Sequence, residues 1–166
     1  MSDIRSRRSI RKYTGDPVSD EQVTDLLQAA MSAPSAANQQ PWRFVVIRSQ
    51  DQREKIPLFH PHASMAPSAP VVIAVCGDLS DLRIPERWVQ DCSAATQNLL
   101  LAAHDMGLGA VWLGVYPTEE RVEGVRRLLD LPEHIMPLSM VAIGHPAEHP
   151  PVADRFEAGY VHYDRW

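Results

Sequence analysis

The sequence predicts a layered α/β or α+β sandwich, in which about four strands interleave with four or so helices. Three observations carry this. Ser19-Asp20-Glu21-Gln22 is a capping box, and apolar residues at helical spacing follow it. Val71 to Val75 is apolar throughout, the pattern of a central strand covered on both faces. From about Pro85 to Met106, apolar and small residues recur at helical spacing over the longest element of the chain.

Taken in order, the first of these helices carries Val23, Leu26, Leu27, Ala30 and Met31 on one face, and Pro34 closes it. Trp42 to Ile47 (Trp-Arg-Phe-Val-Val-Ile) reads as a strand, with Trp42 more a core residue than a ligand. Residues 50 to 58 suggest a short helix, and a Pro- and His-rich loop runs on through Pro70. In the long helix Pro85 suits the first turn. Trp88, Cys92, Ala95, Leu99, Ala103 and Met106 form one stripe, widened by Ala94, Leu100 and Ala102. Such breadth suggests burial at the centre of something, a subunit contact included. Gly107 is placed to stop it. Ala110 to Tyr116 reads as a strand, Thr118 as the cap of a helix with Val122, Val125, Leu128 and Leu129 inward, and Leu138 to Ile143 as a further strand. The tail after Pro150-Pro151 is polar and aromatic. It has too little to pack on by itself, and a neighbouring subunit's sheet edge is one partner it fits.

The chain has 166 residues and a formal net charge of −5, with 45% hydrophobic residues. That is enough for one domain with a real core, spanning residues 1–166. No apolar run approaches the roughly 20 residues that cross a bilayer, and no signal peptide is visible, so a cytoplasmic protein is expected. Cys76 and Cys92 fall in a strand and a helix and read as structural thiols. The histidines show no metal-ligand spacing, no Ser/His/Asp arrangement stands out, and the acidic residues of the helices read as solvated faces.

Charge is unevenly distributed. Residues 5–12 (Arg-Ser-Arg-Arg-Ser-Ile-Arg-Lys) hold five of the 16 basic residues, leaving 11 against 21 acidic ones, a net of −10 elsewhere. A concentrated basic patch on an acidic chain fits one small anion. It excludes a nucleic acid, which needs a basic face spread over the domain. The hydroxyls of Ser6 and Ser9 can donate to phosphate oxygens, beside guanidinium forks.

Two segments together are more specific than either alone. They are Arg7-Arg8-Ser9-Ile10-Arg11-Lys12-Tyr13 and, after one helix, Ala33-Pro34-Ser35-Ala36-Ala37-Asn38-Gln39-Gln40-Pro41-Trp42. The pair strongly resembles the nitroreductase family of FMN-dependent oxidoreductases. The likeness continues through Gly107-Leu-Gly-Ala-Val-Trp112-Leu-Gly114, Ala142-Ile-Gly-His-Pro146 and the tail from Arg155 to Trp166, so it covers nearly the whole chain in order. The chain resembles the small members of that family, which lack insertions between the strands, and the short 48–70 connection argues against a specialised flavin-destroying or dehalogenating branch. The resemblance implies an α+β fold with a central, mainly antiparallel sheet flanked by helices. It further implies a homodimer with FMN at the interface and a tail from about 152 to 166 that embraces the partner.

It also implies roles for individual residues. Arg7, Arg8 and Ser9 match the segment that holds the FMN phosphate and ribityl chain, and Arg155 a basic residue that completes the phosphate site. Arg11 matches the cation beside the pyrimidine edge, where it would stabilise reduced flavin. Pro34, Ser35, Ala36, Asn38 and Gln40 match the flavin-edge loop, whose amides suit a uracil-like edge. Trp112, Leu113 and Gly114 match a segment beside the ring, offering backbone N–H groups towards N5. Asp154, where relatives carry a further basic residue, is expected to face solvent. No side chain is assigned as a general acid or base. The implied activity is transfer of hydride from NADH or NADPH to the flavin, and from there to a nitroaromatic, a quinone or a similar electron-poor small molecule, by a ping-pong mechanism. The rival reading is an FMN-binding sensory or storage protein with little turnover, its ring covered by the 59–70 loop. No metal and no membrane enter either reading.

Overall fold

The computed structural model describes residues 2–166. Its centre is a four-stranded sheet, β1 (Trp42–Ile47), β2 (Val71–Asp78), β3 (Gly109–Gly114) and β4 (Ile135–Gly144). The spatial order is β1-β2-β4-β3 and every pairing is antiparallel. The two inner strands, β2 and β4, are buried along nearly their whole length, which is why their sequences show no alternation.

Among the described residues five α-helices accompany the sheet: α1 (Ser2–Ser6), α2 (Asp20–Met31), α3 (Gln50–Lys55), α4 (Trp88–Asp105) and α5 (Glu119–Leu129). On one face α2 and α4 pack over Val71, Ile73, Val75, Val141 and Ile143. On the other, α5 and the turns between residues 56 and 69 cover Val72, Ala74, Met140 and Ala142. The period of two along β2 thus sends alternate residues into two cores. Leu26, Ile73 and Leu99 are fully buried, and truncating any of them to Ala costs about 2–5 kcal/mol.

The α2 capping box is formed as predicted: Gln22 N–H donates to Ser19 Oγ at 3.1 Å, and Ser19 N–H donates to Gln22 Oε1 at 2.9 Å. Gly107 takes a left-handed φ of 73° just after α4, where a side chain would be strained. Several boundaries and faces differ from the sequence reading. Met31 is 50% exposed and lies off the core face. The long element begins as a 3₁₀ turn at Pro85–Arg87 and becomes α-helical at Trp88. β3 ends at Gly114, because Val115 and Tyr116 N–H both turn to Leu138 O. Thr118 precedes α5, but its hydroxyl makes no capping bond. Asp91, on α4, is not on a solvated face: it is only 5% exposed.

Both cysteines are free and buried. Burial pushes each thiol up to about 12, so neither is a thiolate at neutral pH. Among the described residues no helix is long and apolar enough to cross a membrane, and no group of His, Cys, Asp and Glu comes together to hold a metal.

A basic cavity, an open strand edge and a strained loop

β3 is an edge strand, and the N-terminal segment partly covers it. Ser9 bridges Ala110 in parallel, with Ile10 N–H donating to Ala110 O at 3.0 Å. The approach is close enough to require glycine next door: a Cβ on Gly109 would sit 2.8 Å from Ile10 Cβ. Backbone groups alternate along an antiparallel strand. Ala110 O faces outward to Ile10, and Gly114 O faces outward to His60 and Arg121. Trp112 and Gly114 therefore turn their N–H groups to the uncovered part of the edge. Beside it lies a cavity of about 490 Å³, lined by Arg11, His60, His62 and the 111–114 strand.

At the covered end lies a cavity of about 700 Å³ lined by Arg5, Arg7, Arg8 and Arg155, with Asp154 on its rim. The side chains of Arg7 and Arg155 have no ion-pair or hydrogen-bond partner among the described residues. Partial burial pulls the Arg7 guanidinium below its ordinary value, and the charges of Arg155 and Arg8 pull it further. Such a group remains charged, so the cluster is an unneutralised positive site. Arg8 is engaged differently. Its guanidinium donates to the carbonyls of Arg5, Arg7 and Pro151 at 2.8, 2.6 and 2.9 Å, and to Ala153 O at 3.4 Å, so it ties the tail to the N-terminus. Ser9, Arg11 and Glu148 line a third cavity of about 500 Å³ that shares Arg8 and Arg155 with the first. Asp154 is exposed, as expected, yet it stands at the basic cavity while its Oδ1 accepts the Phe156 N–H. From Pro151 onward the tail is exposed, including Phe156, Tyr160, Tyr163 and Trp166.

The 34–40 loop is built by other means. Ala37, Asn38 and Gln40 all adopt left-handed backbone, with φ of 48°, 53° and 47°, at about 1 kcal/mol or more each for non-glycine residues. Ser35 Oγ accepts the Gln40 N–H at 3.1 Å, and Gln40 Nε2 donates to Asn38 Oδ1 at 3.0 Å. Beneath them Asp91 accepts from Ala36 N–H at 2.9 Å and from Gln39 Nε2 at 2.7 Å. Gln39, the one polar residue of the motif that sequence reading passed over, is thus the loop's anchor.

The sequence-predicted residues fall into two sets. Ser9, Arg11, Trp112, Leu113 and Gly114 lie at the β3 edge, and Arg7 and Arg155 line the basic cavity between the N-terminal segment and the tail. Pro34, Ser35, Ala36, Asn38 and Gln40 do not join them: no residue of 34–40 lines these three cavities. The loop is fastened at Asp91, near the start of α4, whereas Ser6 meets His104 near its end at 2.7 Å. Thirteen residues of helix separate these anchors by roughly 20 Å.

His60 and Arg121 had no role in the sequence reading. His60 is 1% exposed and its Nε2–H donates to Gly114 O at 2.9 Å; Arg121 Nη1 donates to the same oxygen at 2.9 Å. They fix the carbonyl at the end of the open edge. A buried histidine in a Pro-rich loop offers no periodic signal that could have revealed this.

A model of the Nitroreductase family matches residues 4–60 and 59–145. A Methanothermobacter thermautotrophicus protein, provisionally described as an NADH dehydrogenase/NAD(P)H nitroreductase, is 52% identical over 98% of this chain and 85% of its own length. Among solved structures, a provisionally described nitroreductase of Desulfovibrio desulfuricans in complex with FMN is 36% identical, with a TM-score of 0.85 over 99% of this chain and 96% of that one. The NADPH:FMN oxidoreductase of Vibrio harveyi, complexed with NAD+, is 30% identical, with a TM-score of 0.88 over 99% of this chain and 76% of that one.

Proposed function

This chain belongs to the nitroreductase family, and we propose that it is an FMN-dependent oxidoreductase that uses NAD(P)H to reduce nitroaromatics, quinones or similar electron-poor acceptors by a ping-pong exchange in one pocket. The observation that carries the reading is the β3 edge. The N-terminal segment that bridges Ala110 carries guanidiniums facing a basic cavity, and the uncovered part of the strand presents outward backbone N–H groups. An elongated ligand with a phosphate at one end and a planar, hydrogen-bonding ring at the other fits that donor set.

Bound FMN supplies the redox chemistry, accepting and passing on electrons. The chain's own residues bind and orient. Arg7 and Arg155 would neutralise the phosphate with charge-assisted bonds, and Ser9 would donate to it. Arg11 would place positive charge beside the pyrimidine edge of the ring, and the N–H groups of Trp112 and Gly114 would donate to it. His60 and Arg121 keep Gly114 in register. Arg8 holds the tail across the phosphate end rather than spending its fork on the anion.

The separation of the 34–40 loop from this edge supports a two-fold homodimer in which each loop completes the other copy's site, with the exposed aromatic tail lying on the partner. The test is an absorbance spectrum of purified protein before and after anaerobic NADH, then NADPH. Flavin bands that bleach are expected, and an added acceptor should restore them. Bands that persist with both donors would point to a flavin holder, and failure to take up FMN at all would remove the cofactor assignment.

A further inference from the structure

Asp91 is a buried carboxylate with no cation beside it among the described residues. It sits in the first turn of α4, where the helix dipole favours negative charge. Both of its oxygens are used on one object. Oδ1 accepts the Ala36 N–H and Oδ2 accepts Gln39 Nε2–H. The Gln39 amide cannot turn over, because its Nε2 also donates to Ile84 O at 3.2 Å while its Oε1 accepts the Ile84 N–H at 3.1 Å. Directly above this clasp are the three left-handed, non-glycine residues Ala37, Asn38 and Gln40. A backbone of that kind persists only where its surroundings over-determine it.

We propose that Asp91 is a positioning residue for the flavin. Through Ala36 N–H and the Gln39 amide it holds the 35–40 backbone in the conformation, left-handed at Ala37, Asn38 and Gln40, that presents Ser35, Asn38 and Gln40 to the cofactor of the adjoining copy. This rests on the reading above, in which that loop meets the flavin. A carboxylate is required and an amide does not suffice. Asn at 91 has one accepting oxygen, so its NH₂ opposes either the Ala36 N–H or Gln39 Nε2. Flipping Gln39 to compensate sets its NH₂ against the Ile84 N–H.

The experiment is FMN titration of the flavin-free protein, read by fluorescence quenching, with amide hydrogen exchange on residues 35–40. Asp91→Asn should weaken FMN binding by roughly tenfold or more and lower the protection of the Gln40 N–H. Adding Ala37→Gly to Asp91→Asn should recover a measurable part of that loss, since glycine occupies left-handed backbone without being held there. A role of Asp91 confined to capping α4 or to the core would not respond to a glycine in the loop. Gln39→Leu leaves the carboxylate in place but removes the bridge. It should weaken FMN in the same direction by less, and it serves as the test if Asp91→Asn does not fold. FMN binding unchanged in both variants, or a loss that Ala37→Gly leaves untouched, overturns the proposal. Asn38→Ala separates the two levels. If it weakens FMN while the Asp91 and Gln39 variants do not, only the Asp91 role fails. If Asn38→Ala itself leaves binding unchanged, the loop is not a flavin contact and the reading beneath the proposal fails.

Discussion

The N-terminal basic segment and the 34–40 loop are both irregular chain assigned to one cofactor, and they are constructed in opposite ways. The first is held by a short backbone bridge to β3 and by the Arg8 fork, and it leaves the Arg7 guanidinium uncommitted among the described residues. The second commits most of its polar groups internally and stores strain in its backbone. A charged ligand end can be bound by flexible guanidiniums, because Coulombic attraction tolerates small displacements. A neutral ring edge has to be met by donors and acceptors fixed in direction, and a loop proposed to meet it is best held in place before the ligand arrives. The cost of ordering is met during folding and not on binding.

That contrast can be broken at either end. The largest effect is expected for Arg7→Ala, which should weaken FMN by up to about 100-fold, the scale of a charge-assisted fork. A roughly tenfold rise in ionic strength should shrink that difference, whereas the penalty of Asp91→Asn, which is not a charge contact with the ligand, should persist. An Arg7 variant that binds FMN as the parent does would place the phosphate elsewhere. Next comes Gly109→Ala. Its Cβ would meet Ile10, so the N-terminal bridge must shift, at about 1–3 kcal/mol of stability by denaturant unfolding and with weaker FMN binding. A Gly109 variant of parental stability would show the bridge to be incidental. Arg11→Ala should lower the flavin's two-electron potential by roughly 30 mV, equivalent to about 1.4 kcal/mol, and should slow its reduction by NAD(P)H. An unchanged potential in a flavin-loaded variant removes Arg11 from the tuning of the ring. The smallest effect is for Ala37→Gly alone. Relief of one left-handed residue should raise Tm by about 2 °C and leave FMN affinity alone, and a lowered Tm would mean that the loop is not strained there.

Most of the fold could be read from local pattern. The capping box, the strand from Trp42 to Ile47, the apolar run from Val71 and the glycine after α4 all report physics that acts over a few residues. The errors have equally local causes. Met31 continues the helical spacing of α2, but it falls at the last turn, where nothing packs over it. Ala110 to Tyr116 is apolar enough for a strand, and only the turn of Val115 and Tyr116 towards Leu138 O ends the ladder at Gly114.

Of the site, the sequence by itself determined the inventory: a positive cluster on an otherwise acidic chain, the amide-bearing loop motif, and an apolar strand with glycines at its ends. Charge, side-chain type and short-range spacing are properties of neighbours in the chain. Tertiary structure alone decided how that inventory is used. It separated the Arg7 and Arg155 side chains, which have no partner among the described residues, from Arg8, whose fork is filled by backbone carbonyls. It buried Asp91 under a loop more than 50 positions away in the chain, and it aimed His60 and Arg121 at one carbonyl. It also set the loop and the strand edge apart. The physical reason is the same throughout: a polar side chain's role depends on which donors and acceptors the folded chain brings within 3 Å of it, and no periodicity encodes those partners.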